Sequence, residues 1–162
     1  MRIRAEQAND RQAIYDLHAG AFPSHSEAIL VDRLREAGDI AISLVAEEND
    51  QILGHVLFSP MKAPFRALGL APVAVSKKWR RQGIAAQLIE KGLAEARAAS
   101  WEGVFVLGEP HYYRRFGFSP ALAVGFGSPY AGPCFMALAL QTALSNHAGQ
   151  VDYAPAFATL DF

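Results

Sequence analysis

The order of four features between residues 68 and 98 restricts the fold of this chain more than anything else in its sequence. An apolar run at 68–75 is typical of a buried strand, a basic loop follows it, and Gly83 then opens an amphipathic helix that extends to residue 98. Pro72 lies inside the strand and cannot donate a ladder hydrogen bond, so we expect a bulge or a locally unpaired edge there. Strands and helices of this kind fit a mixed sheet that is covered on both sides.

The rest of the chain adds six further predicted strands and two more helices. The strands are predicted at 3–6, 42–47, 52–59, 104–107, 135–140 and 151–157. Asn49 and Asp50 predict a hairpin turn between the second and third of these strands. Ser24 and Glu27 have the spacing of a capping box at the start of the second helix. The Gly-rich stretch 125–132 is predicted to be a loop.

The loop before Gly83 is basic and is suited to an anion. It contains Lys77, Lys78, Arg80 and Arg81 in a chain whose net charge is -1. A helix start presents unpaired N–H groups and the positive end of the helix dipole, and a glycine lets an anion approach the backbone. This segment therefore predicts a phosphate site, with a solvated surface loop as the alternative. Neither a Walker loop nor a dinucleotide-binding glycine pattern is present.

Two short motifs connect the chain to a known family. Arg80-x-x-Gly83-x-Ala85, after Val-Ala-Val at the end of a strand, resembles the acetyl-CoA signature of the GNAT superfamily of N-acetyltransferases, Gln/Arg-x-x-Gly-x-Gly/Ala. Downstream, Tyr-Tyr-Arg-Arg-Phe-Gly-Phe at 112–118 looks like the aromatic-Tyr-x-x-x-Gly-Phe motif of the same family. The order of predicted elements agrees with this resemblance over most of residues 1–120.

The resemblance implies a mixed α/β fold with a cleft for coenzyme A. We expect a twisted, mostly antiparallel sheet of about seven strands, with helices on both faces and two splayed central strands that form the cleft. The length of 162 residues suits one domain, and no repeat or linker interrupts it, so residues 1–162 are expected to be a single acetyltransferase domain.

The resemblance also implies which residues hold acetyl-CoA. The backbone of the signature strand would bond the pantetheine arm, and the N–H groups at the helix start would surround the pyrophosphate. The cofactor-binding residues implied in this way are Val73, Ala74, Val75, Arg80, Arg81, Gln82, Gly83, Ile84, Ala85 and Ala86. The five histidines show no ligand spacing, so we expect no metal.

Catalytic residues are predicted from the second motif and its surroundings. Tyr113 occupies the place where the family often has a general acid for the CoA thiolate, and packing among aromatic side chains is the alternative. An alkyl amine with a pKa of about 10.4 is mostly protonated at pH 7, so it needs a base or a proton wire. The strand 68–75 carries no carboxylate, which leaves Glu109 and His111 as the nearest candidates, with turn formation and surface solvation as their alternatives.

The sequence gives fewer indications of the residues that bind the acceptor amine. Phe22 and Glu27 lie near the first two helices, and the resemblance implies that this region forms part of the acceptor pocket. His55, inside an apolar strand, is expected to be a satisfied buried histidine rather than a catalyst. No pattern identifies the amine itself.

These observations predict an acetyl-CoA-dependent N-acetyltransferase that acts on a primary amine of a small molecule or protein by direct attack. A catalytically inactive acyl-CoA-binding or sensor module is the alternative. A nucleic-acid surface at the basic loop is a third hypothesis, which is disfavoured because the rest of the chain has eleven basic against sixteen acidic residues.

The cysteine content and the apolar runs of the sequence predict the cellular compartment of the protein and the classes of partner it lacks. The single cysteine, Cys134, suits a reducing compartment. No apolar run approaches the roughly 18 residues of a membrane span, and the N-terminus lacks the apolar stretch of a signal peptide. We therefore expect a cytoplasmic protein without a membrane or nucleic-acid partner. The resemblance leaves a homodimer open.

Overall fold

A computed structural model describes residues 1–159, which form eight β-strands and five α-helices. The strands are β1 (Arg2–Ala5), β2 (Ile42–Glu48), β3 (Gln51–Pro60), β4 (Ala67–Val75), β5 (Gly103–Leu107), β6 (Phe126–Gly127), β7 (Phe135–Ala139) and β8 (Gly149–Gln150). The helices are α1 (Arg11–Ala21), α2 (Ser26–Ala37), α3 (Ile84–Ala98), α4 (Pro110–Tyr113) and α5 (Pro120–Ala123).

Six strands form the main sheet in the order β1-β2-β3-β4-β5-β7. All neighbours in it are antiparallel except β4 and β5, which are parallel. The predicted hairpin is confirmed: Asn49 and Asp50 adopt left-handed backbone angles (φ of 50° and 62°), as a two-residue turn between β2 and β3 requires. Strand β3 is buried over most of its length and lies between β2 and β4 in the interior of the sheet.

Helices cover both faces of this sheet, as expected. On one face α3 contributes Ile84, Leu88 and Ile89 to a buried cluster with side chains of the central strands, including Val56 and Phe58. The predicted amphipathic pattern of α3 is therefore confirmed, and the helix ends at Ala98, two residues after its last buried position, Ala96. On the other face α1 and α2 pack over β2 and β3 in a second cluster.

The central strands β4 and β5 form a fork. They pair only over Ala67–Gly69 and Gly103–Phe105, and the rest of β4 has no partner on this side. Where β4 leaves β5, its register with β3 shifts, so that Ala71 and Pro72 lie opposite Leu57. The disruption expected at Pro72 and the two splayed strands are thus both present.

The last predicted strand, at 151–157, is wrong. The chain there makes only an isolated bridge from Asp152 to Lys62 and then a 3-10 helix, Pro155–Thr159. Pro155 has no N–H to donate, and Ala154 and Phe157 are buried against the second cluster rather than against a neighbouring strand. The main sheet therefore has six strands instead of about seven. A small separate sheet pairs β6, within the predicted loop, with β8.

Candidate functional site

The first of two cavities lies between β4 and the start of α3, and we call it the helix-start cavity. Its volume is about 580 Å³. It is lined by Ala21, Phe22, Val73, Ala74, Val75, Trp79, Arg80, Arg81, Gly83, Ile84, Ala85, Ala86, Tyr112 and Arg115. The structure thus brings together every residue predicted to hold the cofactor except Gln82, which is exposed and outside this lining.

The loop at the start of α3 leaves its backbone open to a ligand. The first α-helical bond after Gly83 runs from Gln87 N–H to Gly83 O, so the N–H groups just before Gln87 have no acceptor within the helix. Gly83 has a φ of 78°, and a Cβ atom placed on it would meet no protein atom within 4 Å. Space and N–H donors are therefore both available where the sequence predicts a phosphate.

Arg80 fixes this loop to the neighbouring elements. Its Nη2 donates to the carbonyl oxygen of Ala21 at 3.0 Å, and its Nε donates to the carbonyl oxygen of Val75 at 3.4 Å. The next residue, Arg81, has a φ of 64°, which is uncommon for a residue with a side chain. The path of the loop is thus determined by contacts at the end of α1 and at the end of β4.

The free edge of β4 turns alternate backbone groups toward the helix-start cavity. Ser76 N–H donates to Leu53 O at 2.8 Å, and the register pairs Ala74 with His55. Because backbone groups alternate along an antiparallel strand, Ala74 bonds to β3, whereas the N–H and C=O groups of Val73 and Val75 point away from it. Beyond Gly69 no strand occupies that side, so the N–H and C=O groups of Val73 and the N–H group of Val75 are open to a ligand, while the C=O of Val75 accepts from Arg80 Nε.

The second cavity, of about 600 Å³, lies beyond the fork, and we call it the tyrosine cavity. It is lined by Phe22, Pro23, Ser24, Glu27, Leu30, Leu70, Ala71, Pro72, Val73, Leu107, Tyr113, Tyr130, Tyr153 and Phe157. Phe22 and Val73 line both cavities, so the two are contiguous at these residues. The predicted acceptor residues Phe22 and Glu27 and the predicted acid Tyr113 all lie in this second cavity.

Packing of its aromatic ring fixes the position of Tyr113. It packs edge-on against Phe118 with ring centroids 5.9 Å apart, and a Cβ atom on Gly108 would lie 2.5 Å from the ring. Burial raises the pKa of Tyr113 to about 12. The phenol is therefore protonated at neutral pH and can donate a proton to a group in the tyrosine cavity.

Glu27 presents a carboxylate to the same cavity. The capping box predicted from Ser24 and Glu27 is not formed, because α2 begins at Ser26 with His25 as its N-cap, and Ser24 Oγ instead accepts from Ser26 N–H at 3.2 Å. Glu27 Oε2 is buried and has no hydrogen-bond partner in the structure. Burial raises the pKa of Glu27, while a bond from its own backbone N–H opposes the rise.

The structure does not bring the predicted base Glu109 into either cavity. Its carboxylate accepts from His111 N–H at 2.8 Å and caps the short helix α4, and both side chains are exposed. The alternative of turn formation thus accounts for Glu109. Its catalytic role stays a prediction, and the cap bond accounts for the position that its carboxylate has in the structure.

Three aromatic residues of the tyrosine cavity are missing from the sequence prediction: Tyr130, Tyr153 and Phe157. Tyr153 is the central one, with ring centroids 5.5 Å from Tyr130 and 5.0 Å from Phe157. Its ring also lies over Gly69, where a Cβ atom would be 2.6 Å away. The erroneous strand at 151–157 concealed Tyr153 and Phe157, and Tyr130 lies in the stretch 125–132 that was predicted only as a loop.

A wider groove, of about 810 Å³, lies near the N-terminal strand, and three of its charged groups, Arg4, Asp10 and Glu47, pair with one another. Arg4 contacts Asp10 at 2.7 Å and Glu47 at 2.8 Å. Within residues 1–159, no three His, Cys, Asp or Glu side chains come together in a way that could hold a metal ion. We therefore place the candidate site at the two contiguous cavities.

Comparison with known proteins identifies the family of this arrangement. The sequence profile of the acetyltransferase (GNAT) domain matches residues 2–121. The chain belongs to the GNAT acetyltransferase family. Its relatives include two proteins of Escherichia coli strain K12 that are named uncharacterized N-acetyltransferases. YhbS is 41% identical over 125 residues, which are 75% of each chain. YjhQ is 34% identical over 134 residues, which are 77% of this chain and 74% of YjhQ.

Solved GNAT structures share the fold over nearly the whole chain. The crystal structure of E. coli YhbS in complex with CoA has a TM-score of 0.91 and 35% identity, covering 97% of this chain and 91% of that one. A GNAT family acetyltransferase from Brucella melitensis in complex with acetyl-CoA has a TM-score of 0.81 and 34% identity, covering 96% of this chain and 97% of that one. The family and the fold predicted from the two motifs are thereby confirmed.

None of the helices within residues 1–159 combines the length and the apolar character that crossing a membrane would require.

Proposed function

We propose that this GNAT protein is an N-acetyltransferase that transfers the acetyl group of acetyl-CoA to a primary amine by direct attack. The proposal rests on the fork between β4 and β5 and on the two connected cavities beside it. One cavity has open backbone donors and the basic loop. The other has a protonated tyrosine and a carboxylate. A reaction between a phosphate-bearing donor and an amine needs both.

The helix-start cavity fits acetyl-CoA, which supplies the reactive thioester when it is bound. The N–H groups at the start of α3 would hold the pyrophosphate, and the open space above Gly83 leaves room for it. The N–H and C=O groups of Val73 and the N–H group of Val75 would bond the pantetheine arm. The CoA and acetyl-CoA complexes of the two relatives support this assignment.

The tyrosine cavity would hold the acceptor. Tyr113, whose pKa is raised to about 12 by burial, keeps the proton that a departing thiolate needs. Phe22 lies at the boundary of the two cavities and would separate the acetyl group from the bulk of the acceptor. Glu27 supplies a negative charge that would attract an ammonium group.

The alternative function, a module that binds acyl-CoA without catalysis, rests on the absence of a carboxylate from β4. Thermal stabilisation by acetyl-CoA and release of free CoA across an amine panel separate the two. The panel should contain alkyl amines, polyamines, amino acids and a peptide with a free N-terminus. The proposed function predicts both stabilisation and amine-dependent CoA release. Stabilisation without release on any amine would favour the binding module, and the absence of both would overturn the proposal.

A further inference from the structure

The most unusual group in the tyrosine cavity is Glu27 Oε2, which is buried and has no hydrogen-bond partner. The wall of the same cavity also contains the apolar side chains of Phe22, Leu30 and Pro72. We propose, building on the proposed function, that Glu27 accepts the proton of the acceptor ammonium, and that this acceptor is a primary amine carried by an apolar or aromatic group.

The charge around Glu27 is the first argument. The titratable groups that share the described lining of the cavity with it are the phenols of Tyr113, Tyr130 and Tyr153, and this lining contains no Lys, Arg or His. A buried carboxylate without a partner is unfavourable, and a cation with N–H donors removes the penalty. A bound ammonium group would supply a positive charge next to Glu27, which no side chain in the described lining provides.

The shape and chemistry of the wall are the second argument. Tyr130 and Tyr153 meet edge to face with ring centroids 5.5 Å apart, and Phe157 lies 5.0 Å from Tyr153. These rings line the cavity together with Leu30 and Leu70. A strongly polar or anionic substituent would lose its water there without gaining partners, whereas an alkyl or aryl group would bury apolar surface.

The position of Glu27 relative to the fork is the third argument. Glu27, Tyr113 and Val73 line one cavity, and Val73 also lines the cavity assigned to acetyl-CoA. A base and an acid are therefore available on the acceptor side of the fork. Since β4 has no carboxylate of its own, Glu27 is the carboxylate that the structure supplies to this cavity.

The proton balance of the transfer assigns one role to each side chain. The ammonium gives one proton to Glu27 Oε2, and the nitrogen lone pair then forms the N–C bond to the thioester carbonyl while the carbonyl electron pair moves to oxygen. When that pair returns, the C–S bond breaks and the sulfur takes the proton of Tyr113 Oη. The second proton lost by the nitrogen restores Tyr113, and Glu27 releases its proton to solvent.

Glu27→Gln tests the assignment of the base, since it keeps the shape of the side chain and removes its charge. With hexylamine at pH 7, kcat/KM should fall at least about 100-fold, while the Kd for acetyl-CoA is unchanged. In the variant, kcat/KM should rise about tenfold per pH unit from 7 to 9, following the neutral amine, whereas the wild-type profile stays flat. Glu36→Gln, an exposed position of the same helix, is the control and should retain wild-type kinetics.

The acceptor class is tested on the wild-type protein with two sets of amines. Hexylamine and 2-phenylethylamine should be preferred over spermidine and lysine by at least about tenfold in kcat/KM. Preference for the polar set, or identical pH profiles for wild type and Glu27→Gln, would overturn this inference and leave the acetyltransferase function intact. Absence of both acetyl-CoA binding and turnover would overturn the proposed function itself.

Discussion

His18 Nε2 and His55 Nδ1 lie 2.8 Å apart in the core, and both rings are fully buried. The carboxylate of Glu6 can only accept, so the Ser43 hydroxyl donates to it and accepts from His55 Nε2–H at 2.8 Å. His55 Nδ1 is then the acceptor for His18 Nε2–H. This chain of bonds determines the tautomer of both rings, and it confirms the prediction that His55 is a satisfied buried histidine.

The histidine pair predicts a loss of stability on mild acidification. Burial lowers the pKa of His18 to about 4, whereas a histidine in the unfolded chain has a pKa near 6.5. The unfolded state therefore binds the proton first, and the stabilising preference for the neutral ring is lost as the pH falls below about 6.5. For His18 alone we expect the free energy of unfolding to fall by about 2 kcal/mol between pH 7 and pH 5.

His18→Gln isolates this contribution. Urea unfolding at several pH values should show a shallower decline between pH 7 and pH 5 for the variant than for the wild-type protein. His147→Gln, at an exposed position, is the control and should decline as the wild type does. Equal slopes for wild type and His18→Gln would show that the buried ring does not control the acid response.

Gly83 is predicted to be required for acetyl-CoA binding rather than for folding. Gly83→Val places a branched side chain in the open space over the helix start, so affinity for acetyl-CoA should be lost while the folded structure remains. Gly38→Val is a matched control, because Gly38 has a φ of 75°, close to the 78° of Gly83, and its Cβ would also meet no atom within 4 Å. Both variants should lose roughly 1–2 kcal/mol of stability through backbone strain. Calorimetric titration with acetyl-CoA should separate them, and unchanged affinity in Gly83→Val would refute the predicted phosphate site.

Tyr113 is predicted to act as the proton donor to the leaving sulfur. Tyr113→Phe should lower kcat by about tenfold or more and leave the Kd for acetyl-CoA unchanged, because only the hydroxyl is removed. The pKa of about 12 implies that the wild-type rate shows no loss from deprotonation of Tyr113 up to pH 10. Tyr15→Phe, outside both cavities, serves as the control. A full rate in Tyr113→Phe would reduce Tyr113 to a packing role.

Two helical glycines are predicted to respond to alanine in opposite directions. A Cβ atom on Gly92 of α3 would overlap the ring of Phe58, so Gly92→Ala should cost about 1–3 kcal/mol despite the better helix propensity of alanine. Gly20 of α1 has no atom within 4 Å of its Cβ position, and Gly20→Ala should stabilise the protein by up to about 1 kcal/mol. Thermal unfolding of the two variants would decide; a neutral Gly92→Ala would mean that Phe58 moves aside freely.

Sequence reasoning succeeded where a local pattern and a local structure coincide. The spacing of the apolar residues correctly predicted α3, and Asn49 and Asp50 correctly predicted the hairpin. Pro72 correctly indicated the irregular part of β4. Such features need no knowledge of distant parts of the molecule. The residues predicted to hold the cofactor remain a prediction, although all of them except Gln82 line one cavity.

It failed where distant segments decide the outcome. Apart from Pro155, the pattern of residues 151–157 is that of a strand, and packing over Gly69 and against α2 makes them an irregular cavity wall. Glu109 was predicted as the base because it follows a strand of the cleft, and the sequence did not show that a cap bond would hold its carboxylate outside the lining of both cavities. Glu27 comes to the cavity from α2, a helix remote in sequence from the fork.

Hydrogen exchange along the unpaired half of β4 can report whether a ligand is bound, because one amide in this segment serves as a reference for its two neighbours. In the free protein, water reaches the amides of Val73 and Val75, while the intervening Ala74 is tied to β3, so deuterium should enter the two outer amides faster than the middle one. A molecule lodged along the open rim would slow the outer pair and leave the middle amide as it was. The exchange rates of these three consecutive amides would then show whether the cleft is occupied and whether the pairing of β4 with β3 is intact.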